Sequence, residues 1–194
     1  MKKKIVIGVT GASGSVYAFR LLQRLHTLSN EIKECGVVFS NSSESVIEYE
    51  LNMKKEEVTS YKIYDNTDFF APFASGSANY DTMIICPCSM GTLGRIAHGY
   101  SNDLISRAAD VILKEKNKLI IVPREMPYNL IHIENFKILV SSGAIICPAS
   151  PSFYSKPENV DQLIDTVINK VLNLSGFSIQ TLEWGDTEKI TSEN

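Results

Sequence analysis

Short apolar runs alternate with amphipathic segments along most of the chain. The apolar runs have strand length, and several are apolar throughout, as in strands that are covered on both faces. They occupy residues 5–9, 37–39, 61–64, 83–86, 119–122 and 144–147. Apolar residues recur at helical spacing over residues 16–28, 43–51, 90–98, 103–116, 129–141 and 159–174. This alternation predicts an α/β fold of three layers with a mostly parallel sheet, Rossmann-like or flavodoxin-like.

Length and charge narrow the class of protein. The 194 residues favour one domain, which we expect over residues 1–175, followed by a polar tail over 176–194 that is disordered or packs on a neighbouring subunit. A net charge of −3 does not favour a nucleic-acid surface. No apolar run approaches the roughly 20 residues that cross a bilayer, and the first run enters a glycine turn rather than a cleavage site. We therefore expect a cytoplasmic protein.

The cysteines and histidines predict no metal site. Cys86 and Cys88 are separated by one residue and have no histidine nearby in the sequence, which does not match the spacing of zinc ligands. The three histidines are scattered along the chain. The four cysteines are expected to be free thiols, mostly buried.

Small and polar residues follow three of the apolar runs. Residues 11–14 form a glycine-rich turn after the first run, Ser40 follows the second, and residues 89–92 follow the fourth. At the carboxyl ends of parallel strands such residues can bind a ligand. Two alternatives stay open: the glycine turn does not have the G-x-G-x-x-G spacing of dinucleotide-binding proteins, and helix capping explains the serines equally well.

Charged residues complete the pattern around the fifth run. Arg124 and Glu125 come directly after Pro123, and Arg107 and Lys114 lie on the helix before that strand. We expect the polar turn, the cations and the carboxylate to lie near one sheet edge, where they suit a phosphorylated, planar ligand. The alternative for the helix is an ordinary stripe of solvated charges.

Five motifs in order, TGASG, PCSMGTL, RAADVILKE, PREMP and FYSKP, resemble the flavin prenyltransferase (UbiX) family over roughly residues 3–174. The resemblance implies a homo-oligomeric flavoprotein, a trimer or a dodecamer built from trimers. Its implied activity is metal-independent transfer of a dimethylallyl group from dimethylallyl monophosphate to N5 and C6 of reduced FMN. The product, prenylated FMN, would serve a decarboxylase of the UbiD type, for example in ubiquinone biosynthesis.

The resemblance also implies roles for single residues. Ser13, Glu50 and Glu125 would be catalytic, the first two by assisting proton movement and Glu125 as a proton donor. The implied FMN contacts are Gly11, Ala12, Ser13, Ser40, Ser89, Met90, Gly91, Thr92 and Arg124. The implied ligands of the prenyl phosphate are Arg107, Lys114, Arg124, Glu125, Tyr154 and Lys170. Departures from the family pattern occur at Gly91, Met126 and Lys170, where some relatives carry lysine, threonine and arginine.

Two other functions remain as alternatives. An FMN-dependent cysteine decarboxylase would carry a PASANT-like motif after the fourth strand and a catalytic histidine near the first helix. This chain has PCSMGTL instead, and His26 comes late in that helix. An FMN carrier or accessory subunit of a decarboxylase would bind flavin without turning over a prenyl phosphate.

Overall fold

A six-stranded, all-parallel sheet organises the chain in the computed structural model, which describes residues 2–179. The strands are β1 Lys3–Val9, β2 Ile32–Phe39, β3 Lys62–Tyr64, β4 Thr82–Cys88, β5 Lys118–Pro123 and β6 Ile145–Ile146. The helices are α1 Ser15–Thr27, α2 Asn41–Leu51, α3 Lys55–Val58, α4 Met90–Ala97, α5 Leu104–Lys114, α6 Leu130–Ser141 and α7 Val160–Leu174. The strand order is β3-β2-β1-β4-β5-β6.

This order is the Rossmann type, in which the direction of winding reverses between β1 and β4. The connections after β1 and β4 therefore leave the sheet on opposite faces. The crevice between them, at the carboxyl ends of the strands, is where open α/β sheets bind ligands. The predicted three-layer α/β fold is confirmed.

Helices cover both faces of the sheet. One face presents alternate residues of the central strands, among them Val6, Val38, Met83, Ile85 and Ile121, to a core that α4, α5 and α6 complete. On the other face α1 packs against β4 and α2. The central strands are thus buried on both sides, which explains why their sequences are apolar throughout.

The chain forms two compact units, Met1–Ala149 and Ser150–Asn194. The first contains the whole sheet; the described part of the second contains α7 and the loop before it. The single domain over residues 1–175 stays a prediction. The predicted tail lies, from residue 180 onward, outside the described residues.

The cysteines are free thiols, as predicted. Cys86 and Cys88 on β4 are fully buried, whereas Cys35 and Cys147 are partly exposed. Burial raises the pKa of the Cys88 thiol to about 12. Residues 2–179 contain no group of three or more His, Cys, Asp or Glu side chains placed to hold a metal ion. Nor does any helix in that range combine the length and hydropathy of a membrane span.

Candidate functional site

The turn after β1 is tightly packed against the start of α2. A Cβ atom added to Gly11 would lie 2.4 Å from the hydroxyl oxygen of Ser42, so only glycine fits this approach. Gly14 has a φ of 104°, in the left-handed region that favours glycine, and immediately precedes α1. The glycines therefore bring the backbone of this turn close to α2 and aim the start of α1 at the sheet edge.

The carboxylate of Glu50, at the end of α2, binds the start of α1. Its oxygens accept hydrogen bonds from the backbone N–H of Gly14 at 2.9 and 3.1 Å and from that of Ser15 at 2.7 Å. Partial burial alone would raise the pKa of the Glu50 carboxyl, but hydrogen bonds from the Ser13 hydroxyl and from these N–H groups outweigh it and lower the pKa. Glu50 is therefore an ionised carboxylate at neutral pH and a weak base.

Arg124 connects the end of β5 to the same turn. Its Nε donates to the backbone carbonyl of Ser13 at 2.8 Å, and its backbone N–H donates to the carbonyl of Cys88 at 3.4 Å. Within residues 2–179 its two terminal nitrogens have no hydrogen-bond partner. The half-buried guanidinium thus lies at the switch point between β1, β4 and β5 with donors to spare.

Ser40 does not cap α2, although it stands at the N-cap position. Its hydroxyl lies 3.3 Å from that of Ser42, and its carbonyl accepts from the hydroxyl of Ser43 at 2.7 Å. The capping alternative therefore does not explain the Ser40 side chain. Beside it, a cleft of about 220 Å³ opens at the carboxyl ends of β2 and β3, lined by Phe39, Asn41, Glu44, Lys55, Ile63, Tyr64, Asp65 and Asn66.

Ser89 caps α4, as the capping alternative predicts. Its hydroxyl accepts from the backbone N–H of Thr92 at 3.3 Å and donates to the Thr92 hydroxyl oxygen at 3.2 Å. The Thr10 hydroxyl accepts from the Ser89 N–H at 2.8 Å and donates to the carbonyl of Pro87 at 2.8 Å, which ties this turn to β1. Gly91 faces open space, because a Cβ added there would meet no atom within 4 Å. The first turn of α4 is thus held rigidly at the edge of an opening.

Glu125 is half-buried next to Arg124, and its Oε1 accepts from the backbone N–H of Met126 at 3.0 Å. Arg124 and Glu125 thus stand at the carboxyl edge of the sheet with the turns after β1 and β4, as expected.

Lys114 lies at the other edge of the same sheet. The first turn of α5 is near the carboxyl ends of the strands, because the Leu104 N–H donates to the carbonyl of Asn66, just after β3, at 2.7 Å. The helix then runs about 16 Å back along the sheet. Lys114 stands at its last turn and pairs with Glu115, four residues before β5 begins. The expectation that all the cations lie at one edge is therefore wrong for Lys114 within a single chain.

Arg107 lies on α5 between the first turn, near the carboxyl edge of the sheet, and Lys114 at the opposite edge. Its Nε donates to the carbonyl of Ala74 at 3.1 Å, and its Nη1 lies 3.6 Å from Asp110. Asp103 is not part of a solvated stripe, because it caps α5 by accepting from the backbone N–H of Ser106 at 2.7 Å. The stripe alternative thus accounts for Arg107 and Asp110 but not for the start of the helix.

Tyr154 and Lys170 belong to the second unit. Tyr154 lies in the loop before α7 and is 47% exposed, and Lys170 is an exposed residue of α7 itself. Their roles as phosphate ligands stay predictions.

The sequence analysis missed Thr10 and Arg95. Thr10 supports Ser89, and Arg95 donates from Nη2 to the Thr92 hydroxyl oxygen at 3.1 Å and pairs with Asp103, also at 3.1 Å. The sequence does contain one signal for Arg95. Ser89, Thr92 and Arg95 recur every three residues, which places them on one side of α4, where their side chains can interact.

Comparisons with known proteins match nearly the whole chain. A family model described as Flavoprotein matches residues 1–172. A relative named flavin prenyltransferase UbiX, from Methanocaldococcus jannaschii, is 46% identical over 94% of this chain and 98% of its own.

Two solved structures have nearly the same fold as this chain over most of its length. An FMN-dependent UbiX-like decarboxylase from Escherichia coli O157:H7, described as dodecameric, has a TM-score of 0.88 at 38% identity and covers 93% of this chain and 98% of its own. A structure described as AnUbiX (PadA1) in complex with FMN and dimethylallyl pyrophosphate has a TM-score of 0.87 at 35% identity, over 95% of this chain and 100% of that one.

Proposed function

Because this chain belongs to the flavin prenyltransferase (UbiX) family of flavoproteins, we propose that it transfers a dimethylallyl group from dimethylallyl monophosphate to reduced FMN. The observation that carries the proposal is the meeting of three elements at the switch point. Arg124 from β5 holds the Ser13 carbonyl after β1, and Glu50 from α2 holds the next two N–H groups of the same turn.

The residues at this edge fit FMN. The terminal nitrogens of Arg124 offer charged donors, and the capped first turn of α4 offers backbone donors beside the open space at Gly91. Ser40 adds a hydroxyl that helix capping does not use. A planar ring and an anionic group both find partners in such a set.

When bound, reduced FMN supplies the electron-rich ring atoms N5 and C6 that receive the prenyl group. The residues of the chain would handle the charge that develops as the allylic C–O bond breaks. Arg124 stabilises the phosphate that leaves with the bonding electrons, and Glu125 gives it a proton. Glu50, ionised and held beside Ser13, would stabilise positive charge on the prenyl carbons. Because its pKa is lowered, the Glu50 carboxylate is a weak base and accepts a proton poorly.

Arg107, Lys114, Tyr154 and Lys170 are proposed as further ligands of the prenyl phosphate. Since Lys114 lies at the opposite edge from Arg124, we propose that it serves the site of a neighbouring subunit in a homo-oligomer, a trimer or a dodecamer. The surface of α6 supports an oligomer, because the apolar side chains of Leu130, Ile131 and Val140 on this helix are more than half exposed.

The product, prenylated FMN, would be passed in the cytoplasm to a decarboxylase of the UbiD type. The decisive experiment incubates the purified protein with reduced FMN and dimethylallyl monophosphate without oxygen and weighs the flavin by mass spectrometry. A mass gain of one prenyl unit is expected. Flavin that binds but keeps its mass would instead indicate an FMN carrier.

A further inference from the structure

The hydroxyl group of Thr92 has both of its acceptor positions occupied. Its oxygen accepts one hydrogen bond from the Ser89 hydroxyl at 3.2 Å and another from Nη2 of Arg95 at 3.1 Å. A hydroxyl has two acceptor positions and one proton, so only the proton remains for further bonding. Within the part of the chain that the structure describes, no acceptor meets that proton.

Arg95 is fixed from both sides. Its Nη2 carries two N–H groups, which match its two acceptors, the oxygen of Thr92 and Oδ2 of Asp103. Asp103 is fixed in turn, because its Oδ1 accepts from the backbone N–H of Ser106 at 2.7 Å and from the Ser106 hydroxyl at 2.6 Å. The Nε of Arg95 is buried without a hydrogen-bond partner among the described residues.

A buried donor without a hydrogen-bond partner destabilises the folded protein. The Arg95 guanidinium is nevertheless held between the Asp103 carboxylate and the Thr92 hydroxyl. Because Arg95 donates to the Thr92 oxygen, it fixes the direction in which the Thr92 hydroxyl donates its own proton. Without Arg95, the Thr92 oxygen would have a free acceptor position, and its proton could rotate toward neighbouring groups such as Ser89.

We propose that Arg95, held by Asp103, is a positioning residue that makes the Thr92 hydroxyl a committed donor toward an acceptor atom of bound FMN. The inference rests on the proposed function, since it takes FMN as the ligand of the first turn of α4. Thr92 is only 3% exposed and follows Gly91, where the structure is open, in the first turn of α4. Arg95 itself does not touch the ligand and acts through Thr92.

A double-mutant cycle on FMN affinity tests this role. Thr92→Val removes the hydroxyl at nearly constant shape, and Arg95→Met removes the guanidinium while keeping most of the side-chain length. FMN binding is measured by quenching of flavin fluorescence for the wild type, both single variants and the double variant. Each single change is expected to weaken FMN binding roughly 5- to 10-fold. The double variant is expected to bind FMN no more weakly than the single variant with the lower FMN affinity.

Asp103→Asn provides a second route that avoids deleting the arginine. Asparagine still caps α5 through Oδ1, but its NH₂ group cannot accept from Arg95. This variant is expected to weaken FMN binding severalfold when Thr92 is present and not at all in the Thr92→Val background. A pure loss of stability would lower the affinity in both backgrounds equally.

Arg24→Met is the matched control, since it removes a guanidinium from the last turn of α1, far along that helix from the glycine turn. It is expected to leave FMN affinity unchanged. If the changes at Arg95 and Thr92 multiply in the double variant, the positioning role is overturned while the proposed function stands. If the wild-type protein binds no FMN at all, the proposed function falls as well.

Discussion

Arg124 donates from Nε to the backbone carbonyl of Ser13 at 2.8 Å, across 111 positions of sequence. The bond joins the end of β5 to the turn after β1, with the end of β4 between them. One hydrogen bond thus spans the three strand ends that frame the crevice. It uses the Nε–H of the guanidinium and leaves the two terminal nitrogens for a ligand.

Replacing Arg124 with lysine tests whether its hydrogen bond to Ser13 and its proposed contact with the ligand depend on the guanidinium. Lysine keeps the charge but lacks the planar fork, so it cannot hold the Ser13 carbonyl and a ligand anion together. FMN affinity is expected to fall about 10- to 100-fold, because a hydrogen bond to a charged group contributes about 1.5–3 kcal/mol. Fluorescence titration measures the loss, and an unchanged affinity would remove Arg124 from the flavin site.

Glu50 predicts a pH-dependent difference in stability. Its folded-state pKa is lowered, so its contribution is present above the unfolded pKa and is lost as the pH falls through the folded value. Glu50→Gln should therefore lower the melting temperature at pH 7, and the gap to the wild type should narrow as the pH falls from about 5 toward 3. Thermal unfolding across this range checks the sign. Glu48→Gln, two residues earlier on α2 and exposed, is the control and should leave the melting temperature close to that of the wild type.

Glu125 should affect turnover rather than flavin binding. Glu125→Gln keeps the shape and the hydrogen bond from the Met126 N–H but cannot give a proton to the leaving phosphate. Turnover at neutral pH is expected to drop about 100-fold, the lower range of general acid catalysis, while FMN affinity stays within about twofold. Intact turnover of this variant would contradict the proton-donor role.

Lys114 and Glu125 together test whether two subunits build one site. Each variant, Lys114→Ala and Glu125→Gln, should be poorly active alone, Lys114→Ala through weaker affinity for the prenyl phosphate. Mixed oligomers, made by unfolding and refolding the two variants together, should regain part of the turnover, because some sites then combine the intact residue of each chain. If mixing restores nothing while mixed oligomers form, Lys114 does not act across a subunit contact.

The surface of α6 gives a test of assembly. Ile131→Glu places a charge at an apolar residue that is 69% exposed in the single chain. If that surface is buried between subunits, the unpaired charge should shift the protein to smaller species in size-exclusion chromatography with light scattering. Lys137→Glu, on the same helix but already charged, should leave the assembly intact.

The apolar runs predicted the strands well because the central strands β1, β4 and β5 are buried on both faces. All six apolar runs are strands, and the long helices lie within two residues of their predicted bounds. The four-residue α3 was missed, because one turn is too short to show a period. The strand order could not be read from the runs either, since it depends on which faces the helices cover.

The site was only partly predictable, for a physical reason. Residues directly after strands, such as Arg124 and Ser89, are placed by the sheet itself. Thr10 acts through a contact that joins segments 79 positions apart, and a single sequence shows no such pairs. Arg95 contacts Thr92 and Asp103, which lie close in sequence, but a spacing of three residues is also that of any helix side. Lys114 was misplaced because α5 runs the full length of the strands it covers. Residues on one side of this helix can therefore lie near opposite edges of the sheet.

The bond between Glu50 and the start of α1 also affects which ligands the crevice rejects. A glycine turn that opens a helix ordinarily attracts phosphate, since its N–H groups point outward and carry partial positive charge. Here the protein fills that position with its own carboxylate. A phosphate group placed at this turn would meet a negative charge, so the turn itself discriminates against anions, while other elements, at α4 and Arg124, remain open to them.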